Sequence, residues 1–254
     1  MTERGSMGAA LVSAKPDLTG KGAREERALF YVAMAAIALI AALAGFAGTF
    51  ISAEHFAARG PVFGYGALAC LWSALVLWLA RAKRVRRRGD IGFLAMVLAV
   101  VMAYALPRLG LQTVGQGLAG ESRSAAYSPF LSFFAAALLF LSCAVAAVFN
   151  EKRPDAYARF MLLATAALLW PIWMRLRLDL FPDPGLAMRV APLIADLAIA
   201  IAMIRDRVVL KAVHPVYIRM GSFIIIIAHL VEVLAYDAPP WRMAAKGLYS
   251  VFAG

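Results

Sequence analysis

The chain has 254 residues, 63% hydrophobic and only 16% charged, with a net charge of +11. Soluble domains run nearer half apolar and a quarter charged, so this composition excludes an ordinary soluble fold, and long apolar blocks without period-2 alternation exclude an outer-membrane barrel. The basic residues sit in short caps between apolar blocks, a distribution that orients helices in a bilayer and argues against a nucleic-acid partner.

In chain order, residues 1–26 are polar and mixed in charge, with Pro16 and several glycines, and read as a flexible cytoplasmic tail. They do not read as a signal peptide, because the first apolar block begins late and is too long. Residues 27–238 hold seven apolar blocks, near 28–51, 61–80, 91–107, 129–149, 157–174, 187–204 and 215–236. Each approaches the roughly 20 residues that a helix needs to cross about 30 Å of hydrocarbon. The expected fold is therefore an all-α, polytopic bundle of seven transmembrane helices. Residues 239–254 are too short to span, and Trp241, Leu248, Tyr249 and Phe252 suit an amphipathic helix in the interface.

Details within the blocks fit packed helices. Ala41, Ala44, Gly45 and Gly48 provide small residues at four-residue spacing in the first, letting backbones approach. Cys70 and Cys143 lie inside apolar blocks with no CxxC or cysteine–histidine cluster, and read as packing residues. The stretch 108–128, containing GLQTVGQGLAGESRS, reads as a long flexible loop. Pro171 is expected to bend the end of the fifth helix.

With the N-terminus inside, the inner segments hold 18 lysines and arginines and the outer segments 8. That bias predicts a cytoplasmic N-terminus and an outside C-terminus in a bacterial inner membrane. The densest cluster is RAKRVRRR: Arg81, Lys83, Arg84, Arg86, Arg87 and Arg88. It determines topology and can also meet anionic lipids of the inner leaflet.

The most chemically informative segment is FIIIIAHLVEVLAYD, residues 223–237, where His229 and Glu232 share a helical face. Ionisable groups at membrane depth are costly and find partners inside the bundle. At 1.5 Å per residue, Asp196 falls near the middle of the sixth helix and Arg189 about 10 Å further out, at the level expected of Glu232. Arg189, Asp196, His229 and Glu232 therefore form a candidate cluster. The leading reading is a polar seam joining two helices; the alternative is a proton relay or polar pocket open to the outer face.

The segment KRPDAYARFMLLATAALL, with Arg153, Pro154 and Arg159, resembles a loop motif, R-P-x-x-H-x-R-L-M-L-L-A-T, of a widespread family of uncharacterised bacterial multi-pass membrane proteins. The similarity extends to AGFAGTF, to Asp196, to IRDRVVLKAVHPVY and to PPWRMAAK. It implies the same architecture and no established activity. The family's histidine positions are FGYG (63–66), VRRRGDIG and Tyr157 here, so any haem or metal they hold in relatives has lost those ligands.

His55, His214 and His229 do not combine depth and spacing suited to one iron, and no GxSxG, Walker loop or HExxH occurs. No cofactor is expected. The leading functional reading is an accessory subunit or sensor of a membrane complex, without catalytic chemistry. The alternatives are a small transporter or proton-coupled carrier using the cluster above, and a degenerate relative of a haem-binding redox protein.

Overall fold

A computed structural model describes residues 21–51, 60–81, 88–119, 126–180, 184–231 and 238–253. Six long helices run up and down: α1 (Lys21–Ile51), α2 (Gly60–Arg81), α3 (Arg88–Ala119), α4 (Pro129–Phe149), α5 (Pro154–Leu180) and α6 (Pro184–Val209). A π-helical turn, Tyr217–Gly221, runs straight into α7 (Ser222–His229), and α8 (Pro239–Ala253) closes the described chain. Among the described residues there is no strand. In hydrocarbon an unpaired backbone amide costs several kcal/mol, so each segment must satisfy its own hydrogen bonds, which a helix does.

The first five helices each contain a stretch long and apolar enough to cross a membrane. The chain is thus a multi-pass membrane protein. Proline opens α4, α5, α6 and α8, where its missing N–H would have no partner anyway. The turn between α4 and α5 is closed by Asn150, whose Nδ2 donates to the Ala146 carbonyl at 2.8 Å, and by Arg153 N–H on the Asn150 carbonyl at 2.8 Å.

At the centre stands α5, packed against α1, α4 and α6 and touching α2. Every residue from Met161 to Leu169 is buried, a run rich in alanine that lets neighbours approach on all sides. Gly45 of α1 is one such approach: a Cβ there would lie 3.0 Å from Ile172. From α2, Tyr65 donates to the Leu168 carbonyl at 3.2 Å and Trp72 Nε1 to Thr165 Oγ1 at 3.1 Å. Tyr65 is a fully buried clasp between α2 and α5. Cys143 is buried and Cys70 half-buried, both as free thiols.

The expected loop over 108–128 is not a loop for most of its length. Helix α3 continues through Pro107 to Ala119. The reason is burial. Gly110 admits Phe130 and Phe133, Gly117 admits Ala126, and Val114 forms a second small core with Phe130 and Ala245 of α8. Trp241 stacks on Phe130 at 6.3 Å and Tyr249 meets Tyr127 edge-on, so α8 caps this end of the bundle. Helix α5 likewise outlasts its expected span, running through Pro171 to Leu180.

Candidate functional site

Two polar centres interrupt the apolar body. The first joins α6 to α7. Along α6 one face is buried (Ala195, Ala198, Ile199, Ala202, Asp206) and the opposite face is bare (Leu193, Leu197, Ile201, Ile204, Val208), each with the spacing of a helical stripe. Asp196 lies at the border of the two, and α7 places His229 beside it. The His229 Nε2 to Asp196 Oδ2 distance is 2.6 Å. Both keep some exposure, 35% for the histidine side chain and 18% for the aspartate.

Behind the pair is a void of about 30 Å³ lined by Asp196, Ser132, Trp170 and Ala228. Trp170 Nε1 is buried without a hydrogen-bond partner among the described residues. The volume suits one ordered water. Of the other two members of the sequence cluster, Arg189 is in α6 with its side chain outside the described atoms, and Glu232 lies outside the described residues. Their expected pairing falls there too.

The second centre lies at the end of the bundle where α2 and α4 finish and α3 and α5 begin. Arg159 sits five residues into α5 and its long side chain lies back over the first turn, the direction helical side chains favour. Nη1 donates to the Asp155 carbonyl at 2.7 Å, while Nε and Nη2 both reach Asp206 Oδ2, at 3.0 and 2.9 Å. Arg205 Nη1 takes the other carboxylate oxygen at 3.1 Å. Arg159 and Asp206 are 2% and 1% exposed. The Arg159 guanidinium stands 5.6 Å over the Tyr217 ring and that of Arg205 5.1 Å over Phe30.

The buried hydroxyls of Tyr31 and Tyr217 lie within electrostatic reach of Arg159 and of each other, yet neither makes a hydrogen bond of good geometry. His214 closes the centre: its Nδ1 accepts from Val216 N–H at 3.2 Å and its carbonyl from Tyr217 N–H at 2.9 Å, so it caps the helix that Pro215 opens. Burial pushes the His214 pKa below its ordinary value of 6.5. Arg159 pushes it further, with Asp206 and Asp155 opposing.

Of the loop-motif residues, the structure buries Arg159. The signal for that was present. Arg159 shares a helical face with Leu162, Leu163 and Ala166, all buried, and Asp206 falls four residues after Ala202 on the buried stripe of α6. From the other motif positions, Pro154 opens α5 and Arg153 is exposed in the turn before it. In the basic run, Arg81 ends α2 exposed, Arg88 opens α3, and Lys83, Arg84, Arg86 and Arg87 lie outside the described residues.

Among the described residues no group of three or more His, Cys, Asp or Glu is arranged to hold a metal ion. Comparison with known protein families, with curated proteins and with solved structures gives no match.

Proposed function

We propose that the chain is a subunit of a larger complex in a bacterial inner membrane, with its α6–α7 face seating a helix of the partner. The single observation that supports this most is the exposure of the Asp196–His229 pair. Asp196 is twelve residues from the start of a 26-residue helix, hence near mid-depth. Around the pair the surface is apolar: Leu193 and Leu197 on α6, Phe223 and Ile226 on α7, and Leu230 just past its end. Polar groups at that depth ordinarily face protein or a water-filled cavity, not lipid tails. A partner helix with a hydrogen-bonding side chain resolves the mismatch. The bias of basic residues places the N-terminus in the cytoplasm on the same reading.

Purification in a mild detergent tests it. The parent should carry a stoichiometric membrane partner, and Asp196→Leu with His229→Leu should lose it while melting like the parent. A parent that purifies alone would end the proposal.

A second reading, a proton-coupled carrier, draws support from the water-sized void between Asp196 and the unpartnered Trp170 N–H. It requires proton flux in proteoliposomes of the purified chain, abolished by Asp196→Asn.

A further inference from the structure

A void lies at the end of the bundle that carries Arg81, Lys152 and Arg153, between α1, α2, α4 and α5, with Gly92 of α3 and Ala198 of α6 also in its lining. Its volume is about 240 Å³. An aliphatic cavity of about 150 Å³ already accommodates benzene. The lining follows one stripe of α5 at helical spacing, from Pro154 through Tyr157, Met161 and Thr165 to Leu169. Fifteen steps of 1.5 Å from Pro154 to Leu169 give a wall of about 22 Å. A space so small beside so long a wall is narrow, fitting a chain better than a flat ring.

Polarity is graded along it. At the deep end Ala35, Val76, Met161, Leu162 and Leu169 are buried and apolar. The one polar group there, Thr165 Oγ1, is already engaged: it donates to the Met161 carbonyl at 2.8 Å and accepts from Trp72. Toward the mouth, Ala28 and Pro154 are exposed and Tyr31, Glu151 and Tyr157 half-buried. Glu151 is the charged member of the described lining. The next two residues, Lys152 and Arg153, are exposed cations.

We propose that this void is a lipid site: one hydrocarbon chain of a bilayer phospholipid enters it, with a zwitterionic ethanolamine head at the mouth. The ammonium meets Glu151 and the phosphate meets Lys152 and Arg153. A carboxylate followed by two cations complements a head carrying both signs, whereas an anionic glycerol head offers Lys152 and Arg153 a phosphate but gives Glu151 no cation. The site is separate from the α6–α7 face and does not depend on the partner.

Native mass spectrometry of the purified full-length chain tests it, with phosphatidylethanolamine and phosphatidylglycerol of identical chains as probes. The parent should retain one ethanolamine lipid at least fivefold more than the glycerol lipid. Ala158→Leu, which fills the throat, should cut that retention at least fivefold while melting like the parent. Glu151→Gln should erase the head preference. Unchanged retention in a folded Ala158→Leu would mean that lipid adheres only to the outer surface, and would overturn the site. If Ala158→Leu does not fold, Glu151→Gln decides: a preference that survives it, or one absent from the parent, overturns the assignment.

Discussion

Replacing Asp206 should be among the most damaging single changes in this protein. The carboxylate accepts two hydrogen bonds from Arg159 and one from Arg205, all at 2.9–3.1 Å. Asp206→Ala leaves Arg159, 2% exposed, as a buried cation with only the Asp155 carbonyl and the Tyr217 ring. Breaking a buried ion pair from one side costs about 3–5 kcal/mol, because the remaining charge is desolvated and unpaired. Arg205 adds less to that cost, since its side chain is 12% exposed and can turn outward.

The reverse comparison separates pairing from simple crowding. Arg159→Met with Asp206→Leu removes both charges and keeps the volume, and such exchanges are often neutral or stabilising. Unfolding by SDS titration in mixed micelles measures all three proteins. The single variant should lose about 3–5 kcal/mol and the double variant under about 1.5 kcal/mol. A single variant within about 0.5 kcal/mol of the parent would refute the pairing. So would a double variant as unstable as the single.

Other outcomes follow from individual contacts. Gly66→Ala puts a Cβ 2.6 Å from the Phe46 ring, which is 1% exposed and cannot yield, so stability should fall by about 1–3 kcal/mol in the same titration. His214 has a folded pKa below its ordinary 6.5, so the unfolded chain binds more protons near that pH. Stability should therefore be full above pH 6.5 and fall as the pH drops below it. His214→Asn, which keeps a capping acceptor without titrating, should flatten that slope in melting curves. Lys211 has φ of 62°, the left-handed region that costs a side chain about 1 kcal/mol, so Lys211→Gly should be neutral or stabilising by up to about that amount.

How much could be read from the residues alone differs from element to element. Apolar length marked the spanning stretches of α1 to α5, because bilayer thickness acts on each stretch locally. The end of α3 was illegible for the opposite reason. GLQTVGQGLA (110–119) is polar and glycine-rich, and it stays helical because Gly110 and Gly117 admit Phe130 and Ala126 from elsewhere in the chain. Depth counting set His229 and Asp196 at neighbouring levels, and the structure holds them 2.6 Å apart. The burial of Arg159 went unread, because a tally of basic residues by side ignores that the residue lies on α5's buried stripe. The cavity beside α5 had no signal at all, since small and large apolar residues look alike until their partners are known.

The claim that a partner covers the α6–α7 face meets its most direct test in intact cells. A photocrosslinking residue at Leu197, exposed and next to Asp196, should yield one discrete protein adduct that disappears on Asp196→Leu. The same probe at Leu94 on the exposed face of α3 should yield none. Lipid adducts alone at Leu197, or an adduct indifferent to Asp196, would contradict the account.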